Sequence, residues 1–193
     1  MGGWATHQGR AVHLPLDNVD TDQIIPARFM SAPRSEGYGR FLLHDMRRDG
    51  DGALRSDFPL NAVEDASLLI AGANFGSGSS REAAVYALVD AGFRAVIAPG
   101  FGDIFAGNAV NNGLLPAVVT REDLTKIAAE PTLTIAIEDR SITAGDTTIR
   151  FELPDTWATK LINGWDDIDL TLQHADAIAS FRETRDPWTW PAT

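Results

Sequence analysis

Three continuously apolar runs constrain this chain more than any other feature. They are residues 67–72 (SLLIAG), 93–98 (FRAVIA) and 114–119 (LLPAVV). Runs this short and this uniformly apolar predict strands buried on both faces, the pattern of a parallel sheet. Helix-forming stretches separate them, so the middle of the chain alternates strand, helix, strand, helix, strand, with crossover helices between parallel neighbours. The first helix is predicted over about 80–91, with Ala83, Ala84, Ala87, Leu88 and Ala91 on one side. Glu82 falls in its first turn, where the helix dipole favours a negative charge, and Gly92 supplies the stop. The second is FGDIFAGNAVNNG, ending at Asn-Asn-Gly.

The flanks follow different patterns. Residues 10–16 (RAVHLPL) predict a short strand, and NVDTDQIIP after them a polar turn. Residues 28–57 have few periodic apolar positions and predict a long, partly mobile loop with a helical piece near 38–46. Thr120, with Glu122 and Asp123, opens a helix through Ala129. TLTIAIEDRSITAGDTTIRFEL alternates with period two across turn residues, which predicts antiparallel strands. Helices are predicted over 157–164 and 168–183, and residues 186–193 read as a loose tail. No repeat or linker divides the 193 residues, so they are expected to form a single domain.

Composition narrows the chemistry. The formal charge is −11, the only lysines are Lys126 and Lys160, and apart from Arg47-Arg48 the arginines are scattered, so no basic stripe exists for nucleic acid. No apolar run approaches the roughly 20 residues of a membrane helix, and MGGWATHQGR is no secretory signal, so the expected location is the cytoplasm. There is no cysteine, hence no disulfide, no thiolate nucleophile and no iron–sulfur cluster held by this chain's own thiolates. His7, His13, His44 and His174 stand far apart, so no metal site is expected from this chain alone.

ANFGSGSSREAAV (residues 73–85) is the candidate functional loop. It lacks the Gly-Lys-Ser/Thr of a P-loop, and Arg81 stands where a dinucleotide fingerprint needs its third glycine. Strand, glycine turn, Ser-Ser-Arg and helix instead suit an anion: Gly76 and Gly78 permit close backbone approach, Ser79 and Ser80 add hydroxyls, and Arg81 adds a forked cation matched to a carboxylate. The competing reading makes one serine a helix cap and Arg81 a surface charge. Asp17, Asp20 and Asp22 place three carboxylates in six residues. They suit a metal loop or a solvated turn, without the spacing of an EF-hand.

NVDTDQIIPARF, GYGRFLLHDMR, the stretch from ANFGSGSSRE to GDIFAGNAVNNGLLP, and WDDIDLTLQHADAIASF occur in this order. Together they resemble the 3-isopropylmalate dehydratase small-subunit family, which corresponds to the swivelling domain of aconitase; the likeness spans about residues 10–181. The resemblance implies an α/β fold of three β/β/α layers. It implies reversible dehydration and rehydration of a hydroxy di- or tricarboxylic acid, and a [4Fe–4S] cluster carried by a large subunit in a heterodimer or heterotetramer. Within the motifs it implies Ser79 as the base that takes a proton from carbon, Ser80, Arg81 and Gly78 around the substrate carboxylate, and Thr21 and Asp22 beside the site.

Three positions depart from the family pattern. Ala83 replaces a usual histidine, and Ser77 a frequent cysteine. Residues 34–38 read Arg-Ser-Glu-Gly-Tyr where Thr-Arg-Thr-Gly-Phe is common, which leaves Arg34 and Arg28 as candidate carboxylate ligands or as solvated loop arginines. The reaction class stands, with 2-isopropylmalate the leading substrate. Citraconate, methylmalate or dimethylmaleate types are the alternative, and a non-catalytic binding domain is a third reading.

Overall fold

The computed structural model describes residues 2–78 and 80–185. Strands β1 (Thr6–Leu14), β2 (Ala66–Ala71), β3 (Ala95–Ala98), β4 (Leu115–Val118), β5 (Thr132–Ala136), β6 (Ser141–Ala144) and β7 (Thr147–Arg150) form one sheet in the order β4-β3-β2-β1-β5-β6-β7. β1 to β4 run parallel, and β5 to β7 continue antiparallel. β1 belongs to both halves: Thr6–Arg10 pairs with β5 and Arg10–Leu14 with β2, Arg10 serving both, and the β2 register shifts between Arg10 and Ala11.

That bend curls the sheet and makes two cores. Side chains alternate across a strand, so Leu68, Ile70, Ala95 and Ile97 point to one face and Leu69, Ala71, Val96 and Ala98 to the other. The first set meets Leu133, Ile135, Ile137, Ile142 and Ile149 of the antiparallel half. The second packs under α4 (Ala83–Asp90) through Ala84, Val85, Ala87 and Leu88. Antiparallel sheet, parallel sheet and helices are therefore the three β/β/α layers, and the double-sided burial is why the parallel strands are apolar throughout.

The chain before β2 is more ordered than its sequence suggests. The acidic turn holds α1 (Thr21–Ile24). Residues 27–47 form three 3₁₀ turns and α2 (His44–Arg47), pinned by buried Tyr38, Leu42 and Leu43, and α3 (Pro59–Ala62) follows. Such isolated anchors carry no periodicity for a sequence reading to find. β1 starts four residues before the expected strand, because its first half is polar and half-exposed, and α4 starts at Ala83 rather than Ser80.

After α4 come α5 (Asp103–Asn111), α6 (Arg121–Ile127), α7 (Asp155–Asn163), α8 (Asp167–Leu172) and α9 (Ala175–Thr184). Residues 186–193, read as a loose tail, lie outside the described residues. α9 buries none of its residues, and Ile168, Leu172, Ile178 and Phe181 on α8 and α9 are exposed. The buried Lys160 ammonium ties α5, α7 and α8 together: it donates to Asn111 Oδ1 and, at 2.6 Å, to Asp167 Oδ1. Asn111 Nδ2 donates to the other Asp167 oxygen at 3.0 Å.

Hydrogen bonds from Lys160 first, then Asn111, hold the Asp167 carboxyl below the usual carboxylate range. A depressed folded pKa gives stability that is present above the unfolded value, about pH 4, and lost as pH falls through the folded value. Asp167→Ala is expected to cost about 1–2 kcal/mol at neutral pH, because it leaves the buried ammonium with the neutral Asn111 amide in place of a carboxylate, while Asp167 itself is largely in water. Urea unfolding from pH 7 to pH 2 should show the gap to the native chain narrowing only below about pH 4.

Candidate active site

The turns that follow β1, β2 and β3 lie side by side at the carboxyl ends of the parallel strands, where ligands bind in open α/β sheets. Gly76 N–H donates to Val19 O at 2.7 Å, and Thr21 N–H to Ser77 O at 3.0 Å. Gly102 N–H donates to Phe75 O at 3.0 Å, and Phe75 N–H to Gly100 O at 3.1 Å. Single bridges Asp20–Ser77 and Phe75–Phe101 continue the parallel pairing beyond the strands. Two motifs far apart in sequence, the turn Val19–Thr21 and the glycine turn at Gly76 and Ser77, are joined by this backbone lacing.

The glycines have steric reasons. Gly76 has φ +72°, and a Cβ there would sit 2.2 Å from Cγ of Phe105. Gly78 has φ +95° with ordinary space around it, so its constraint is the backbone conformation alone. A recess of about 200 Å3 opens beside them, between Gly76–Gly78 and Gly102–Phe105.

The Arg81 guanidinium is paired with the Asp22 carboxylate; Asp22 is over half exposed and Arg81 about a quarter. Thr21 is buried beside them, and Ser80 is exposed. The arrangement presents a fixed guanidinium, a hydroxyl and an accessible carboxylate at one rim. It can bind an anionic oxygen and place a second polar group next to it. Ser79, the residue implied as base, lies outside the described residues.

The three acidic residues after β1 face three different partners. Asp20 caps α1, accepting from Gln23 N–H at 2.7 Å while Gln23 Oε1 accepts from Asp20 N–H at 2.9 Å. Asp22 takes Arg81. Asp17 accepts from Ala73 N–H at 2.7 Å and Arg121 Nη2 at 2.9 Å, and the Arg121 bond, with Ala73 second, lowers its pKa. The metal-loop reading of this cluster is thereby replaced: its carboxylates hold a helix cap, an ion pair and a loop. Among the described residues no three His, Asp or Glu side chains are gathered to hold a metal ion.

Arg34 and Arg28 are not brought to Arg81. Arg34 makes a bidentate pair with Asp90 at 2.5 and 2.8 Å and lies 4.4 Å over the Tyr86 ring. Asp90 ends α4, whereas Arg81 precedes its start, a separation of about 10 Å along an eight-residue helix. Arg28 is paired with both oxygens of Asp45 and holds that carboxyl at about 2, with His44 second. Asp90 Oδ2 also accepts the Tyr38 N–H at 2.6 Å, so Asp90 fastens the 34–38 turn to α4.

Some supporting residues were not singled out in the sequence. Glu82, read only as a dipole partner, accepts from Asn112 Nδ2 at 2.8 Å and locks the start of α4 to the end of α5. Asn-Asn-Gly was the available signal, read only as a helix stop. Ala83 is the first residue of α4 and packs on the core, while the Ser77 backbone serves the lacing to Asp20 and Thr21.

The aconitase C-terminal domain family matches residues 1–122, and the family of the C-terminal domain of 3-isopropylmalate dehydratase small subunits matches residues 167–191. The 3-isopropylmalate dehydratase small subunit of Listeria monocytogenes is 44% identical over 93% of this chain and 96% of its own length. That of Lactococcus lactis is 44% identical over 95% and 98%. The crystal structure of 3-isopropylmalate dehydratase from Methanocaldococcus jannaschii aligns with a TM-score of 0.68 at 28% identity, covering 92% of this chain and 99% of that one.

Gly76→Ala is expected to lower stability by about 2–4 kcal/mol, combining left-handed strain with the clash on Phe105, as read from denaturant midpoints. Asp90→Ala should release the 34–38 turn while leaving the cores intact. Amide exchange at Tyr38 should then speed up by about tenfold or more, with β2 and β3 protection unchanged.

Proposed function

Because the chain belongs to the 3-isopropylmalate dehydratase small-subunit family, we propose that it is the small subunit of a hydro-lyase acting in leucine biosynthesis. With a large subunit it interconverts 2-isopropylmalate and 3-isopropylmalate by dehydration and rehydration. The observation that carries this reading is the lacing of Thr21 to Ser77 and the pairing of Asp22 with Arg81, in a chain similar to such subunits over nearly its whole length. The enzyme is assigned to the cytoplasm. No helix among the described residues is long and apolar enough to cross a membrane.

The chain offers no thiolate for an iron–sulfur cluster. The [4Fe–4S] cluster implied by the resemblance is assigned to the large subunit, and loss of the substrate hydroxyl falls to that side of the site. This chain's part is binding and proton transfer. Arg81 takes a substrate carboxylate, helped by Ser80 and by the backbone at Gly78. Asp22 holds the guanidinium in place beforehand, and Thr21 fixes the turn that carries Asp22. Ser79 Oγ, as alkoxide, removes the proton from carbon and returns it in the hydration half-reaction. A serine does this only where a cation and N–H groups stabilise its negative oxygen and water is excluded, which Arg81 and the glycine turn supply under a closing large subunit. Arg34 or Arg28 would reach a second substrate carboxylate only by leaving its own partner, Asp90 or Asp45.

The test is an anaerobic assay of this chain with its own organism's large subunit, offering 2-isopropylmalate, citraconate and citrate in parallel. Isopropylmalate is expected to turn over, and neither subunit alone should be active. Ser79→Ala should lower kcat by about 10²–10⁴-fold with subunit association unchanged. Full activity of Ser79→Ala would remove the base assignment, and turnover of citraconate or citrate alone would overturn the substrate.

A further inference from the structure

A second cationic recess lies outside the glycine loop, in the segment between α1 and α3. Arg40, His44, Arg47 and Arg48 line a recess of about 150 Å3 whose remaining lining is Leu42 and Leu54. This is unusual in a chain of net charge −11, with 27 acidic residues against 16 basic ones. Arg28, Arg34, Arg55, Arg81, Arg121 and Arg140 each have a carboxylate within 4.0 Å. Arg47 and Arg48 stand side by side and, among the described residues, have none.

Arg47 is half-buried and built in. Its Nε donates to Asn61 Oδ1 at 2.8 Å, and Asn61 Nδ2 donates to the backbone oxygens of Arg47 and Arg55, each at 2.8 Å. One amide thus fixes the side chain and both ends of the 48–54 hairpin. The two Arg47 amino groups keep no protein partner among the described residues. Burial first, and the neighbouring Arg48 charge second, disfavour its charged form. Arg48 uses Nη1 on Gly52 O at 2.7 Å, Arg40 uses Nη2 on Glu36 at 2.6 Å, and His44 uses Nδ1 on Asp45 at 3.0 Å. Arg48 and Arg40 retain further N–H groups. Carboxylates stand at the recess on Glu36, paired with Arg40, and on Asp45, beside His44, whereas Glu64 and Asp65, which line a separate cavity of about 460 Å3 with Arg47, stay beyond ion-pair distance of it.

We infer that this recess is a binding site for a small multivalent oxyanion, an inorganic phosphate or a short dicarboxylate, held chiefly by Arg47 and Arg48. A desolvated guanidinium without a counter-ion is costly, and an oxyanion supplies the missing charge and accepts from planar N–H pairs. Leu42 is buried against the recess and Leu54 stands exposed at its edge, so the contact is screened from water on one side only. The small volume favours a compact ion over an extended acidic peptide. The recess shares no lining residue with the one beside the glycine loop.

Isothermal titration of the full chain in chloride-free buffer, with phosphate and separately with succinate, tests this. Saturable one-to-one binding is expected, and the tighter of the two ligands identifies the source. Arg47→Gln and Arg48→Gln should each weaken it about tenfold or more. Arg121→Gln should leave binding unchanged, as should Arg81→Gln, which removes succinate binding at the other rim from consideration. If Arg47→Gln loosens the hairpin, Arg48→Gln decides, since Arg48 has only its bond to Gly52. Absence of saturation up to about 10 mM for both ligands, or equal weakening by Arg121→Gln, overturns the site.

Discussion

The structure depends on one strand serving two partners in succession. β1 pairs antiparallel with β5 through Thr6–Arg10 and parallel with β2 through Arg10–Leu14. A straight strand would pair both neighbours along its whole length and give a flat sheet with one covered face. The shift at Arg10/Ala11 instead turns the antiparallel half onto the back of the parallel half. The carboxyl ends of β1, β2 and β3 are left together at one edge. There the backbone bonds Val19–Gly76 and Thr21–Ser77 can form, and the Asp22–Arg81 pair follows from them.

That pair gives the site its resting electrostatics. A lone guanidinium on a rim would sample many rotamers, whereas Arg81 is already committed to a direction by Asp22. In the proposed function, an incoming carboxylate would meet a cation already ordered by the fold and would share it with an exposed, hydrated partner. Arg34 is at the opposite extreme: its bidentate carboxylate and two aromatic neighbours hold it closely. The two arginines differ in how much protein must be undone before each meets a ligand.

Where the sequence was legible, one residue's surroundings decided its behaviour. Buried on both faces, β2, β3 and β4 read as unbroken apolar runs, and the β5–β7 meander reads as alternation across turns. Gly92 and Thr120 mark helix ends by local chemistry. The three-layer fold and the glycine loop followed from these and from the family resemblance. What stayed hidden is set by contacts between distant residues. Nothing local to Asp17 shows that it braces Ala73 and Arg121, nor to Glu82 that it meets Asn112. Tyr38, Leu42 and Leu43 anchor residues 27–47 without periodicity, so that segment reads as loose although it is pinned. Arg34 and Arg28 looked available because their carboxylates, Asp90 and Asp45, lie 56 and 17 residues away.

The double role of β1 also has a consequence in time. It is made before the other six strands, yet its parallel partner begins at Ala66 and its antiparallel partner ends at Ala136. At synthesis rates of about 5–20 residues per second, the interval between the emergence of Thr6 and that of Ala136 is on the order of ten seconds. Through that interval the polar first half of β1 is an edge with nothing to pair to, and the curl that defines the domain cannot close. The earliest-made of the seven strands is thus among the last to reach its final neighbours.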